Sequence, residues 1–252
     1  MFSALAQAGV WLALLFFIGR NDTPSGFGIP LGALLNTVEI AKKEMAERSL
    51  PEILVVGQGD DPAVNEFPAV MTALLRDVPH RFVSGDDSAV APQSGAVVIL
   101  QNSGLRANGW YEACGRDQGC VLYEVGRGMW VAAVPAGVIV AAKNQFPDPR
   151  VLANGVELIG WDRDLGWRVI WRAGYVPAAS DYHFFNHAAN GQADGVGFAS
   201  RDWRDGDVVV SYFDLQPVGP VRVGMYEYPS VTNVPVLDAA GNPYSDAVTA
   251  GP

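Results

Sequence analysis

Tyr182-His183-Phe184-Phe185-Asn186-His187 is the stretch that decides the fold of the C-terminal part of this chain. On a β-strand, its residues His183, Phe185 and His187 share one face, and the residues between them share the other. At ~3.3 Å per residue the two imidazoles lie about 13 Å apart, too far to ligate one metal ion. We therefore expect hydrogen-bonded histidines beside a core aromatic, and a metal pair only if a bulge draws His183 and His187 together.

Short strand-like segments surround this run, with Gly, Pro or Asp turns between them. Their number and spacing predict a C-terminal antiparallel β-sandwich, Ig-like or carbohydrate-binding-like, over residues 151–252. The predicted strands are 156–161, 167–171, 181–188, 207–213, 222–228 and 234–237.

The segment before the sandwich alternates between strand and helix patterns. Residues 52–56 form an apolar run before Gly57, which is typical of a buried parallel strand. Helical periods over 34–45, 66–76 and 105–114 alternate with strands at 80–83 and 96–100 and with a closing hairpin at 121–134. This order predicts a small three-layer, Rossmann-like α/β domain over residues 21–143, so the fold class is α/β plus all-β.

The N-terminus is apolar from residue 2 to residue 18, except for Ser3 and Gln7. This length is at the short end for a spanning helix, and no basic residue precedes the apolar core as a signal peptide requires. We therefore predict a membrane helix over residues 1–20, with a signal peptide or a buried helix as the alternatives.

Charge and cysteine content restrict the function classes. The net charge is −10, and both halves carry more acidic than basic residues, so nucleic acid is not an expected partner. Cys114 and Cys120 are six positions apart and could form a disulfide or remain two free buried thiols. No cofactor motif is complete, and no serine has a histidine and aspartate arranged for nucleophilic catalysis.

The aromatic residues of the sandwich are dense enough to raise the possibility of a sugar-binding surface. The candidate ligand-binding residues are Trp203, Tyr226, Tyr228, Asp194 and Gln192. The alternative is that these aromatics are part of the sandwich core. Both interpretations stay open at the level of the sequence, because alternation alone does not say which face is covered.

Two loops have polar residues that resemble ligand sites. Asp238, Asn242 and Asp246 place oxygen ligands around a Gly turn, which calcium could use, although an ordinary hairpin loop has the same composition. The run Gly57-Gln58-Gly59-Asp60-Asp61-Pro62 follows a strand as a phosphate-binding loop does. It lacks the third glycine and is acidic, so we expect a tight turn with a helix-capping Asp.

One further pair of carboxylates is expected to be solvated. Asp205 and Asp207 flank Gly206 in a predicted turn, where a solvated position is the default. We therefore do not expect these two residues to take part in chemistry.

Several segments resemble the soluble region that follows the membrane helices of bacterial glycosyltransferase-like proteins, which are relatives of protein mannosyltransferases and aminoarabinose transferases. In the sandwich they are Leu152-Ala153-Asn154-Gly155-Val156, Tyr182–His187, Gln192-Ala193-Asp194-Gly195, Trp203-Arg204-Asp205-Gly206-Asp207, Gly224-Met225-Tyr226 and Val236-Leu237-Asp238. Before it they are Gly26-Phe27-Gly28-Ile29-Pro30-Leu31 and Gly59-Asp60-Asp61-Pro62.

The resemblance covers most of the chain but implies no catalytic residue in it. The family's catalytic acids lie in a loop of its membrane domain, and no segment here matches that loop. We therefore expect a non-catalytic, membrane-anchored, extracytoplasmic protein that binds glycan or a protein partner. The alternatives are a part or subunit of a polyisoprenyl-phosphate-sugar glycosyltransferase and a structural subunit of a cell-envelope assembly.

Overall fold

A computed structural model describes residues 7–12, 29–101, 104–126, 128–163, 166–174 and 180–251, and in them the chain is a mixed α/β protein formed mostly of sheets. The helices after residue 29 are α1 (Leu31–Glu47), α2 (Glu66–Leu74) and α3 (Arg106–Asp117). The strands are β1 (Ile53–Gly57), β2 (His80–Ser84), β3 (Ser88–Ala91), β4 (Ala96–Gln101), β5 (Val121–Gly126), β6 (Met129–Val134), β7 (Asn144–Gln145), β8 (Val151–Leu152), β9 (Glu157–Asp162), β10 (Trp167–Arg172), β11 (Asp181–Ala188), β12 (Gly191–Gly195), β13 (Val208–Phe213), β14 (Val221–Tyr228), β15 (Thr232–Val234), β16 (Val236–Leu237), β17 (Pro243–Ser245) and β18 (Val248–Ala250).

The first sheet, sheet A, has the strand order β2-β1-β4-β6-β5. Strand β1 runs parallel to β2 and to β4, as its continuous apolar sequence predicts, and all its residues are buried. Strands β5 and β6 form the predicted antiparallel hairpin, and β6 pairs antiparallel with β4. Sheet A is therefore mixed, with a parallel half and an antiparallel half.

The two faces of sheet A are covered by different elements. On one face Leu34 of α1 and Met71 of α2 are buried with Val55 of β1. On the other face Leu54 belongs to the same buried cluster as Tyr111 of α3 and as the aromatic residues of the second sheet. One of the two buried clusters therefore extends from this face of sheet A into the C-terminal part of the chain.

The second sheet, sheet B, has the order β17-β16-β8-β9-β10-β13-β3, with β7 paired to β9. Its edge strand β3 comes from the segment predicted as the α/β domain and pairs antiparallel with β13, with Val90 opposite Val209. The sequence did not predict β3. The division into 21–143 and 151–252 remains a prediction, but a strand of the first segment completes a sheet of the second.

The third sheet, sheet C, has the order β12-β11-β14-β15, and β18 also pairs with β14. Strand β11 has the bounds that its alternation predicts. Sheets B and C pack face to face through aromatic residues. Phe184 of β11 lies 5.4 Å from Trp171 of β10 and 5.9 Å from Phe213 of β13, measured between ring centroids. This packing is consistent with the predicted β-sandwich.

A buried ionic cluster joins the two halves of the chain. The Arg81 guanidinium donates to both carboxylate oxygens of Glu52, at 2.9 and 2.5 Å, and to Oδ2 of Asp207 at 2.5 Å. It also donates to the backbone oxygen of Asp202 at 2.5 Å. The three charged side chains are at most 4% exposed. The prediction that Asp207 is solvated, made from its position beside Gly206, is therefore wrong. Asp207 is buried and pairs with a cation more than a hundred residues away.

The carboxyl of Asp202, at the rim of this cluster, gives a pH-dependent prediction. Burial raises its pKa, although the nearby Arg201 cation lowers it. A carboxyl whose pKa is raised in the folded protein stabilises the fold most at pH values below about 3.9, its pKa in the unfolded chain. This contribution is lost as the pH rises through the pKa of the folded state. We therefore expect Asp202→Asn to be more stable than the wild type at pH 7, and the difference to shrink towards pH 4.

Denaturant unfolding at both pH values measures this effect. Asp238→Asn is the opposed control, because backbone N–H groups, first that of Asn242, lower the pKa of Asp238. That substitution should cost stability at pH 7, and the cost should vanish in acid. An Asp202→Asn variant that is less stable than the wild type at pH 7 would contradict the expectation.

Two sequence predictions concern the remaining segments. The predicted membrane helix over 1–20 falls mostly outside the described residues, of which 7–12 are helical. Among the residues that are described, no helix has both the length and the apolar character needed to cross a membrane. Cys114 and Cys120 are joined by a disulfide, with their Cα atoms 5.4 Å apart, which links the last turn of α3 to the residue before β5.

Candidate functional site

Strand β11 presents its two faces to different surroundings. Phe184 and Asn186 point into the sandwich and are fully buried. Asn186 accepts a hydrogen bond from the Trp167 indole at 2.8 Å and donates one to the Ala193 carbonyl at 3.0 Å. His183 and His187 lie on the opposite face, as the alternation predicts. The inner side of β11 is fixed by packing and hydrogen bonds, and its outer side is available for other contacts.

The outer face of sheet C is formed by the outward side chains of β11, β12 and β14. Strand register places Tyr228 opposite Asp181, Tyr226 opposite His183 and Gln192 opposite His187. Residues directly opposite each other in a sheet share a face. The members of this outer face are Asp181, His183, Phe185, His187, Gln192, Asp194, Arg222, Gly224, Tyr226 and Tyr228.

One end of the outer face is an aromatic cluster of His183, Tyr226 and Tyr228. The His183 and Tyr228 rings stack with their centroids 4.9 Å apart and an interplanar angle of 13°. The Tyr226 ring is tilted against His183 at 5.5 Å, and the Tyr226 hydroxyl lies 3.5 Å from His183 Nδ1. Tyr228 is 52% exposed. The cluster therefore presents an aromatic ring to solvent that is already held in place from one side.

The other end of the outer face is polar. His187 Nε2 lies 3.4 Å from Oδ1 of Asp194, and both side chains are partly exposed. Gln192 and Arg222, on the two strands that flank β11, are both opposite His187 and both exposed. An acid, a base, an amide and an imidazole thus lie beside one another, about 13 Å along the strand from His183 at ~3.3 Å per residue.

Phe185 and Gly224 form the middle of the outer face. A Cβ atom on Gly224 would lie 2.4 Å from Cζ of Phe185 and 2.6 Å from the backbone oxygen of Asp246. The Phe185 ring and the Asp246 backbone therefore occupy the space that a side chain at position 224 would need, and Phe185 is only 5% exposed. The middle of the outer face is therefore closely packed.

The protonation of Tyr226 bears on what this face can donate. Burial raises the pKa of Tyr226, and the negative charge of nearby Asp194 raises it further. The hydroxyl is consequently neutral at physiological pH and can act as a hydrogen-bond donor. The strand register places Tyr226 and Asp194 on the same face of sheet C.

The candidate residue Trp203 lies elsewhere. Its ring contacts Trp171 at 4.8 Å and Tyr182, on the inner side of β11, at 5.9 Å. Its indole N–H donates to the Phe198 carbonyl at 2.9 Å. The structure therefore brings four of the sequence candidates, Gln192, Asp194, Tyr226 and Tyr228, onto the outer face, and places Trp203 in the packing between sheets B and C.

The two histidines face different carboxylates. His183 Nε2 lies 3.7 Å from Asp181, and His187 lies next to Asp194 at the far end of the strand. The register of β11 against β12 and β14 is regular, without the bulge that a shared ion requires. Within the described part of the chain, no group of three or more His, Cys, Asp or Glu side chains is placed to hold a metal ion.

The loop with the calcium-like composition is held by its own backbone. Asp238 Oδ1 accepts hydrogen bonds from the N–H groups of Ala240 and Asn242, at 2.9 and 2.8 Å. Gly241, with φ +83°, donates to the Asp238 carbonyl at 3.0 Å. Asp246 lies beyond strand β17, outside this turn. The Asp238 carboxylate therefore closes the turn between β16 and β17. This is the ordinary hairpin loop that the sequence offered as the alternative to a calcium site.

The glycine-rich turn after β1 is also closed by protein groups. Gly59 has φ +77°, and a Cβ there would meet the Asn65 side chain at 2.3 Å. Asn65 Oδ1 accepts the Asp61 N–H at 3.0 Å, and Gln101 lies close to the N–H of Gln58. Asp61 caps its own turn at Ala63 rather than helix α2, which begins at Glu66. The expected tight turn is present, but its helix-capping Asp is not.

Sequence reasoning did not single out Asp181, Arg222 or Gly224 as contributors to the outer face. Arg222 and Gly224 lie at alternating positions of β14, so the same period-2 argument that was applied to β11 places them beside Tyr226. Comparison with protein-family models, with curated proteins and with solved structures gives no match to this chain.

Proposed function

We propose that this chain is a non-catalytic binding protein and that the outer face of sheet C binds glycan. The observation that carries the proposal is the stacked His183–Tyr228 pair, which holds an exposed aromatic ring beside polar side chains of several kinds. Aromatic rings offer a flat apolar surface, and the apolar faces of sugar rings are complementary to it.

The polar side chains supply what the hydroxyl groups of a sugar need. Asp194 accepts hydrogen bonds, Gln192 both donates and accepts, and the neutral Tyr226 hydroxyl can donate. The distance of about 13 Å between His183 and His187, at ~3.3 Å per residue, exceeds the length of one sugar ring. We therefore infer that an oligosaccharide chain, extended along β11, fits this face better than a monosaccharide.

The proposal places these sheets outside the cytoplasm, attached to a membrane by the helix predicted over 1–20. The disulfide between Cys114 and Cys120 supports this location, because disulfides persist in oxidising compartments. The parallel pairing of β1 with β2 and with β4 supports the Rossmann-like assignment of the first half. A glycan-binding accessory region is compatible with the resemblance to glycosyltransferase-like proteins.

A glycan array with the purified full chain in a mild detergent tests the proposal. We expect binding to oligosaccharides and a loss of about tenfold in affinity for Tyr228→Ala, which removes the exposed ring. Tyr228 is half exposed, so the substitution should leave the unfolding midpoint nearly unchanged. If no glycan binds and a protein is bound through this face instead, the glycan assignment is wrong.

A further inference from the structure

Sheet B carries a row of polar side chains on the face that it turns towards α3. Register places Asp162 of β9 opposite Arg168 of β10, and Arg168 opposite Tyr212 of β13. The Arg168 guanidinium donates to both oxygens of Asp162, at 2.6 and 2.5 Å. An acid, a base and a phenol therefore stand side by side across three neighbouring strands.

Helix α3 forms the opposite wall. Arg106, Trp110 and Ala113 follow at helical spacing, so they lie on one face of α3. Tyr111, which is fully buried, fixes the helix by donating its hydroxyl to the Val90 carbonyl of β3 at 3.1 Å. The face with Arg106 and Trp110 is thereby held towards sheet B.

The segment after β6 closes a third side. Ala142 and Lys143 line the cleft. A Cβ on Gly160 of β9 would lie 2.2 Å from Cβ of Ala142, so this segment crosses the sheet in close contact. The side chain of Gln118, at the end of α3, binds both the N–H and the carbonyl of Ile139. The result is a walled cleft of about 530 Å³, large enough for a small metabolite.

Tyr212 is the group in this cleft that points to a ligand. It is 8% exposed, and its hydroxyl makes no hydrogen bond of ordinary geometry to the described residues. Leaving a buried polar group without a partner costs about 1–3 kcal/mol. Burial raises the pKa of Tyr212 to about 12, so the hydroxyl keeps its proton at neutral pH. The Arg168 guanidinium is near enough to lower the pKa of Tyr212, but it can only donate to the oxygen, so the hydroxyl proton has no acceptor. A ligand oxygen that accepts this proton in a hydrogen bond would satisfy the group.

The charges around Tyr212 specify the ligand further. Arg106, Lys143 and Arg168 line the cleft together with the acids Asp117 and Asp162. Arg106 pairs with Asp214, whose side chain is 87% exposed, and such surface pairs contribute little and are easily exchanged. An incoming anion can therefore take Arg106 from Asp214 and accept the Tyr212 proton in the same cleft, in an otherwise acidic protein.

We propose that the cleft between α3 and sheet B binds a small molecule of about monosaccharide size that carries one carboxylate or phosphate group. The anionic group lies between Arg106 and the Tyr212 hydroxyl, and the ring of the ligand packs against Trp110. Asp194 of the outer face of sheet C lines a neighbouring pocket together with Arg106 and Tyr212, so the two sites adjoin. The ligand-binding residues that are proposed for them are different, so either proposal can fail without the other.

Calorimetric titration of the full chain with glucuronate, glucose 6-phosphate, inorganic phosphate and glucose tests the inference. We expect at least one of the two sugar anions to bind, and glucose to bind at least about tenfold more weakly, because a hydrogen bond to a charged group is stronger than one to a neutral group. Glucuronate and glucose 6-phosphate distinguish a carboxylate from a phosphate. Binding of inorganic phosphate equal to that of both sugar anions would overturn the monosaccharide size of the ligand.

The variants Tyr212→Phe and Arg106→Gln locate the anion. Each should weaken binding of the anionic probe by about tenfold. Tyr244→Phe is the matched control, because Tyr244 is exposed and lines a different cleft. The inference is overturned if neither sugar anion binds, if glucose binds equally well, or if both variants bind like the wild type. Because Arg106 is part-exposed, the Arg106→Gln variant still tests the inference if Tyr212→Phe unfolds.

Discussion

Replacing Arg81 by methionine should lower the free energy of unfolding by about 3–5 kcal/mol, because it leaves Glu52 and Asp207 buried without their cation. Both carboxylates are at most 3% exposed, and Arg81 contributes a hydrogen bond to each of their ion pairs. Arg204, which lies 3.2 Å from Glu52, is half exposed and replaces only a part of this interaction. Urea unfolding of the two proteins at pH 7 measures the difference.

Because of this cluster, we also expect the two halves of the chain to unfold together in one transition. Arg81 is on β2 of sheet A and Asp207 immediately precedes β13 of sheet B, so loss of the cation loosens the contact between the two halves. The triple variant Glu52→Gln, Arg81→Met, Asp207→Asn should recover much of the lost stability, since no buried charge remains. Lys42→Met is the surface control. Its ion pair with exposed Asp77 should contribute little to stability. A loss below 1 kcal/mol for Arg81→Met would contradict this account.

Trp171→Ala should be about as destabilising, by about 3–5 kcal/mol, because it opens a cavity between sheets B and C. The Trp171 ring is fully buried and lies 5.4 Å from Phe184 and 4.8 Å from Trp203. Its indole N–H donates to the Ser211 hydroxyl at 2.9 Å, so the substitution also removes a buried hydrogen bond. Thermal and denaturant unfolding of the variant measure the effect.

Trp171→Phe separates the two contributions. It keeps a ring in the cavity and loses the hydrogen bond, so we expect a cost of about 1–3 kcal/mol. Trp203→Ala tests the neighbouring ring, which the sequence placed among the ligand-binding candidates. Because Trp203 packs on Trp171 and Tyr182, it should reduce stability and leave the affinity of the outer face of sheet C unchanged. A stable Trp203→Ala variant that has lost glycan binding would show that this ring is part of the site.

Much of the strand and helix content could be predicted from local patterns. The alternation in Tyr182–His187 gives the bounds and the two faces of β11, and the apolar run at residues 52–56 gives a buried parallel strand. Local periodicity is a reliable signal for these two strands. The two faces of β11 lie in different surroundings, whereas both faces of β1 are buried. The outer positions of β11 and β14 could be paired into one surface by the same reasoning.

The remaining features depend on contacts between distant parts of the chain. Strand β3 is only four residues long and is defined by its pairing with β13, more than a hundred residues later. The burial of Asp207 depends on Arg81, at a sequence separation of 126. Trp203 could not be assigned to a face because it lies outside the strands, directly after a 3-10 helix at Ser200–Asp202, and its partner Trp171 is on β10. Tyr212 lies within a strand that is apolar except for Ser211, so its place in a cleft is visible only when α3 is in position.

The measurement that tests the central claim most directly is the affinity of one array-identified oligosaccharide for three proteins: the wild type, Tyr228→Ala and Tyr244→Ala. Tyr228 and Tyr244 are both exposed tyrosines, on sheet C and sheet B respectively. If the outer face of sheet C is the binding site, Tyr228→Ala should weaken binding by about tenfold, and Tyr244→Ala should bind like the wild type. Equal affinity of all three proteins, or a loss that is confined to Tyr244→Ala, would contradict the claim.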